Sequence, residues 1–206
     1  MVINKTRRKE LSENRRTGIL QAARSVFARQ GYEKTGVDDI AEQAGIAKGT
    51  IYLYFRSKED IYIAALVEEA RRLDELTRQR MQAVEAWDEK LKAYVDVRLA
   101  YLETHQDFVR IYLGEFRSMI VRGGRVPSEL YQVMRDSEGQ LAQVFAAAIA
   151  KKEIRSVDPE LAALTVCDLT RGLMERWLVG WSRPSGPCDA QFALDLICRS
   201  LALSQS

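Results

Sequence analysis

The sequence predicts an all-α protein of about nine helices. A small N-terminal helical domain precedes a larger C-terminal one. Three observations carry this expectation. Apolar residues recur at three- and four-residue spacing in nearly every segment, as one face of a helix requires. The interruptions "GGRVP" (123–127), "RSVDP" (155–159) and "RPSGP" (183–187) hold the Gly and Pro that stop helices. No segment shows strand-like alternation, and there is no low-complexity run and no repeat of roughly 20–50 residues.

Each element follows from local chemistry. Helix one is expected over about 14–30, where Ile19, Ala22, Ala23, Val26 and Phe27 form one apolar stripe. Gly31 stands where a left-handed residue ends a helix, with Tyr32 placed to pack on Phe27. Residues 1–13 are read as a flexible basic arm or a solvated tail. A short helix over about 37–44 has Gly36 as N-cap, acidic Asp38 and Asp39 in its first turn, and Gly45 at its end. A third is expected over 48–55. "SKED" then caps a long helix from Ser57 to about Ala83. Five more are expected at about 88–104, 107–122, 128–152, 159–182 and 189–203.

Composition narrows the function. Hydrophobic residues make up 47% and charged residues 29% of the 206, which suits a globular chain with a sizeable core. The longest apolar run, Val144–Ala150, is far too short to span a membrane. The basic start lacks the apolar stretch of a secretory signal, so a cytoplasmic protein is expected. Cys167, Cys188 and Cys198 are odd in number and contain no CxxC pair. They read as small core residues, not as a disulfide or metal set, and no metal or cofactor is expected. Residues 1–60 hold 12 Lys/Arg against 8 Asp/Glu, whereas residues 61–206 hold 19 against 21. The basic excess lies at the N-terminal end and points to an anionic partner there, nucleic acid or a membrane surface.

The run "KGTIYLYF" (48–55) is strand-like by propensity yet lies between helices. A helix-turn-helix explains it. Counting Val37 as the first position, small Ala41 is fifth, where the second helix crosses, and Gly45 is ninth, where the chain turns. Ile40, Ile46 and Ile51 occupy the fourth, tenth and fifteenth, which form the wedge between the helices. Ile51 and Phe55 point inward. Lys48, Thr50, Tyr52, Leu53 and Tyr54 are left outside or at the rim, and Gly49 permits close approach of a DNA backbone or base edge. For Tyr52 and Tyr54, plain packing is the alternative.

The run "GYEKTGVDDIAEQAGIAKGTIYLYFRSKEDI" resembles the N-terminal DNA-binding region of the TetR (tetracycline repressor) family of bacterial regulators. The resemblance covers about residues 15–65. It implies a homodimer that places the third helix of each subunit in the major groove of a palindromic operator. It implies phosphate contacts from Tyr52, Tyr54 and Lys58, and base contacts from Thr50 and Leu53. Lys48 would read a guanine or a phosphate, and Thr35, Gly36 and Val37 would touch backbone at the start of the second helix. Two residues depart from the family pattern. Ala47 stands where Ser or Thr caps the recognition helix, and Gly36 where a hydroxyl commonly meets phosphate.

Residues 61–206 are expected to sense a small-molecule effector and to dimerise. The last two helices are apolar nearly all round and need cover on more than one side. Leu169, Leu173, Phe192, Leu196 and Ile197 are the interface candidates, with a merely buried C-terminal helix as the alternative. On 88–104 the stripe Leu91, Val95, Arg98, Leu102, His105 sets a cation and the lone histidine on an apolar face. Arg98 is either an effector contact or half of an ion pair with Asp168 or Glu115. His105 is a contact or a helix-end residue. Tyr94, Phe108, Tyr112, Phe116, Met119, Met134 and Trp177 line a pocket or fill the core. A mostly apolar or aromatic effector with one polar or anionic group fits such surfaces.

The leading expectation is thus a repressor released from its operator by an inducer. An activator, or a regulator controlled by a partner protein, is the alternative. No catalytic constellation supports an enzyme, which remains the remote one.

Overall fold

The computed structural model describes residues 2–106, 108–114, 128–181 and 187–203. Among them every regular element is helical. The elements are α1 (Val2–Lys34), α2 (Val37–Gln43), α3 (Lys48–Ile51), α4 (Lys58–Gln82), α5 (Trp87–Thr104), α6 (108–114), α7 (Ser128–Ala150), α8 (Pro159–Leu178) and α9 (Pro187–Leu201). No helix among the described residues is long and apolar enough to cross a membrane.

The chain forms two compact units. One comprises Met1–Glu69 with Asp107–Glu115, the other Ala70–Gln106 with Phe116–Ser206. The division falls within α4, nine residues beyond the boundary at 60 that the sequence suggests. The reason is packing: Ile61 and Ala65, on the first turns of α4, belong to the core of the first unit.

That core joins Ile19, Ala23, Val26 and Phe27 of α1 to Ile40, Ala41, Ile51, Phe55 and the start of α4. Gly31 breaks the helical path of α1 with φ +78°. Beyond it the Tyr32 ring stacks on Phe27 with centroids 5.9 Å apart. Before it, α1 differs from expectation. Residues 2–13 are helical, not an arm apart from helix one. Lys, Arg, Glu and Leu favour helix, and extending a formed helix avoids the cost of nucleation.

α3 is also shorter than its expected span. Its α-helical residues end at Ile51, although Phe55 N–H still reaches the Ile51 carbonyl at 3.0 Å. Its start lacks a side-chain cap, and its β-branched and aromatic residues are modest helix formers. The remaining turn is held by burial of Ile51 and Phe55.

The second unit centres on Leu91, Tyr94 and Val95 of α5, Leu141, Phe145 and Ala148 of α7, Ala163 and Val166 of α8, and Leu194 and Leu201 of α9. Asp158 caps α8 by accepting from the Glu160 and Leu161 amides, and Pro159 fills the first position.

Candidate functional site

The helix-turn-helix is built on its wedge. Ile40 and Ile51 are fully buried, and Ile46 is half-buried against them. Gly45 takes φ +64°, which an L side chain rarely adopts, and Ile46 N–H closes the turn on the Ala41 carbonyl at 3.0 Å. With Ile51 and Phe55 inside, one surface of the α3 region is left to solvent. Lys48 and Gly49 are exposed, and Thr50 and Tyr54 are half-buried. Tyr52 is 50% and Leu53 81% exposed. A Cβ placed on Gly49 would meet nothing within 4 Å, so its bare backbone faces open space. An exposed leucine beside a bare glycine suits contact with thymine methyls and close backbone approach.

Several polar groups predicted to meet phosphate have partners inside the unit. The Lys48 ammonium pairs with Asp38 at 2.7 Å, and this hydrogen bond holds its pKa above the usual lysine value. Lys58 donates to the Tyr32 carbonyl at 2.8 Å and sits 4.3 Å from the Tyr32 ring centroid. It therefore ties the start of α4 to the end of α1, where helix carbonyls attract a cation. Thr35 is buried and donates its hydroxyl to the Gly31 carbonyl at 2.7 Å. Its side chain thus braces the end of α1 from within the unit. Gly36 is the N-cap of α2 as expected, but its amide donates to Asp39 Oδ2 at 2.8 Å. Val37 is half-buried against the core. Spacing alone missed these internal acceptors, although Asp39, three residues after the cap, is a recognisable capping signal.

In the second unit the Arg98 guanidinium lies over Tyr94, 3.7 Å from the ring centroid. Asp168, one suggested partner of Arg98, is engaged elsewhere. Asp168 pairs with Arg171 at 2.8 Å, and Glu115 lies outside the described residues. Arg98 instead donates to Thr77 Oγ1 at 2.8 Å and to Ser137 Oγ, and faces Asp74 at 3.7 Å. Gln140 donates to the other Asp74 oxygen at 2.8 Å. The cluster joins α4, α5 and α7. Its sequence signal was present: Asp74 with Thr77, and Ser137 with Gln140, are polar pairs at three-residue spacing on otherwise apolar faces. Tyr94 meets Cys167 Sγ at 3.1 Å. Burial holds the Tyr94 phenol well above its ordinary pKa and also pushes the Cys167 thiol up, so neither is a ready nucleophile.

The other effector candidates are dispersed. His105 ends α5, stacked on Tyr101 at 3.9 Å, with Nδ1 near Thr104 Oγ1 and the Tyr101 carbonyl. Phe108 and Tyr112 lie 5.6 Å apart in the first unit, not in the expected C-terminal domain. Met134 and Trp177 are half-buried on α7 and α8. Phe116 and Met119 lie outside the described residues.

The last two helices keep an uncovered apolar surface. Phe192 is 68% and Leu196 56% exposed, and Leu161 and Leu164 of α8 are also exposed. Leu169, Leu173 and Ile197 are half-buried.

Similarity to known proteins agrees with this geometry. The family described as bacterial regulatory proteins, tetR family, matches residues 19–65, and the tetracyclin repressor-like C-terminal domain matches residues 84–201. The uncharacterised HTH-type transcriptional regulator YhgD of Bacillus subtilis is 25% identical over 190 residues, covering 91% of this chain and 94% of its own. The HTH-type transcriptional repressor KstR2 of Mycolicibacterium smegmatis is 29% identical over 188 residues, covering 86% of this chain and 84% of its own. The crystal structure of the transcriptional regulator FadR from Bacillus subtilis in complex with stearoyl-CoA shares the fold. Its TM-score is 0.71 at 22% identity, over 92% of this chain and 99% of that one. With its helix-turn-helix and more than half of its length matched, the chain belongs to the TetR family of bacterial DNA-binding transcriptional regulators.

Proposed function

We propose that the protein is a homodimeric repressor that leaves a palindromic operator when an apolar effector binds its second unit. The observation that carries the proposal is the exposed face of α3 and the turn after it, where Gly49, Tyr52 and Leu53 face solvent above the buried Ile40, Ile51 and Phe55. In this reading Thr50 and Leu53 meet base edges. Lys48, Tyr52 and Tyr54 meet phosphates, Lys48 by exchanging Asp38 for a phosphate oxygen. The division into an operator-binding unit and a sensing unit is part of the same proposal. The repressor sense draws support from KstR2, a repressor by name that matches most of the chain.

Dimerisation is assigned to the apolar surface of α8 and α9. Leucine and phenylalanine exposed side by side cost free energy unless another surface covers them, and a second copy supplies one by two-fold symmetry.

The effector proposed is a long apolar molecule with one anionic end, of the fatty acyl-CoA class. Support comes from FadR with stearoyl-CoA and from the half-buried thioether and aromatic side chains of Met134 and Trp177. Arg98, with its internal partners, acts in this reading as a structural tie between α4, α5 and α7. An effector that shifts α5 or α7 disturbs α4 through it. The role involves no chemical turnover, and the protein acts where the DNA is, in the cytoplasm.

A series of acyl-CoAs of increasing chain length tests the reading. Long chains are expected to raise the melting temperature, since a ligand at 100 times its Kd adds about 2.7 kcal/mol. They are expected to weaken operator binding tenfold or more and to be recovered unchanged. Operator affinity unaffected by every chain length would overturn the effector assignment.

A further inference from the structure

We propose that Asp74 and Arg98 form a hydroxyl-reading site in the second unit, and that the effector carries a hydroxyl group on its acyl chain. The inference rests on the effector reading above and adds to it the polar group that α4 and α5 recognise.

The starting point is the balance of donors and acceptors around the Asp74 carboxylate. Its Oδ2 accepts from Gln140 at 2.8 Å. Its Oδ1 is buried and has no hydrogen-bond partner among the described residues. The nearby donors are committed elsewhere. Thr77 gives its hydroxyl proton to the Leu73 carbonyl at 2.8 Å. Arg98 donates from Nη1 to Thr77 Oγ1 at 2.8 Å and from Nη2 to Ser137 Oγ. Nη2 stands 3.7 Å from Asp74 Oδ1, beyond hydrogen-bond reach. A buried carboxylate oxygen without a donor is costly, and folded chains leave few such atoms. The cost is recovered when a ligand brings the missing donor.

The geometry selects the kind of group. Two polar atoms 3.7 Å apart can both bond a third atom that lies about 2.8 Å from each. That atom must donate to Asp74 Oδ1 and accept from Arg98. Charge selects further. The carboxylate and the guanidinium already balance, so Asp74 repels an incoming carboxylate and Arg98 repels an ammonium. A keto oxygen accepts but has no proton for Oδ1. A hydroxyl does both and is neutral. The pair also lies where an apolar chain is expected. Met134 stands three residues before Ser137 on α7. On α8, Cys167, which meets Tyr94, leads through Thr170 and Met174 to Trp177 at three- and four-residue spacing along one side. The polar pair therefore adjoins the sides of α7 and α8 that carry Met134 and Trp177. Side-chain exposures of 11% for Arg98 and 16% for Asp74 leave an approach from solvent. Because Asp74 is on α4 and Arg98 on α5, a bridging hydroxyl also joins those two helices.

The test measures the affinity of the intact protein for matched ligands by calorimetry. Palmitoyl-CoA is compared with palmitoyl-CoAs hydroxylated near the thioester, at mid-chain and at the far end. A hydrogen bond to a charged group discriminates by about tenfold or more. At least one hydroxylated ligand is therefore expected to bind about ten times or more tighter than palmitoyl-CoA. In Asp74→Asn, which keeps the shape and removes the charge, that preference is expected to fall below about threefold. A preference that persists in the variant places the hydroxyl elsewhere and overturns the inference. Equal affinity of the intact protein for all four ligands also overturns it, while the apolar effector reading stands. Binding of none of them would sink that reading and this one together. The ligand series on the intact protein decides even where the variant does not fold. A crystal structure with the preferred ligand is expected to place its hydroxyl between Asp74 Oδ1 and Arg98 Nη2. A fixed water there, with the hydroxyl elsewhere, would equally overturn the inference.

Discussion

At Lys58 a single ammonium holds two backbone elements together. It bonds the Tyr32 carbonyl and covers the Tyr32 ring, so Lys58→Met is expected to cost about 1–2 kcal/mol in urea unfolding. A residue whose work was only phosphate binding would leave unfolding unchanged. Arg98 is the larger case. Its side chain is mostly buried and faces Asp74, one of whose oxygens is buried with no hydrogen-bond partner. Arg98→Met leaves that carboxylate uncompensated and is expected to cost about 3 kcal/mol. Asp74→Asn in the same chain should recover at least about 1 kcal/mol, a coupling that a double-mutant cycle reads directly. Tyr94 sets a pH dependence. Burial raises its native pKa above the ordinary value of 10.0. Below that value both states keep the proton. Above it the unfolded chain ionises while the native phenol does not, so its contribution to stability falls as pH rises past about 10. Denaturant midpoints at rising pH should fall less for Tyr94→Phe than for the intact chain. The sequence made Arg98 conspicuous, as a cation on an apolar stripe. It did not reveal Asp74 as the partner, because spacing within one helix says nothing about which residue of another helix it meets.

Among the elements, α3 carries the most function on the least intrinsic helix. Ala47 has the extended geometry of an N-cap but no side chain to cap with, so Ala47→Asp is expected to stabilise by about 1 kcal/mol, seen as a raised melting temperature. Ile51→Ala should cost about 2–4 kcal/mol, because it empties a fully buried site. Leu53→Ala should leave stability within about 0.5 kcal/mol and change operator preference instead. The two outcomes separate the inward face of α3 from its outward one. Long amphipathic helices were legible in the sequence because their apolar period repeats over many turns. Glycines and prolines marked most of their ends, and Gly31 and Gly45 adopt the positive φ their places implied. The start of α1 was not legible. Residues 2–13 have no apolar period to reveal a helix, only side chains that favour one. The end of α3 was not legible either, since burial of Phe55 continues the turn where the helix itself stops.

At the scale of the whole molecule, the proposed repressor needs both the exposed surface of α3 and the apolar surface of α8 and α9. Phe192→Asp with Leu196→Asp is expected to give a folded monomer by light scattering. Its operator affinity should fall at least a hundredfold, because each half-site is then bound alone. The central claim is that a dimer of this chain reads a two-fold symmetric DNA site. Selection of binding sites from a random DNA pool tests it most directly. The predicted result is an enriched palindrome whose half-sites lie about one helical turn apart, bound with an affinity that falls steeply with salt. A pool that yields no preferred sequence, or a preferred sequence without two-fold symmetry, would contradict it.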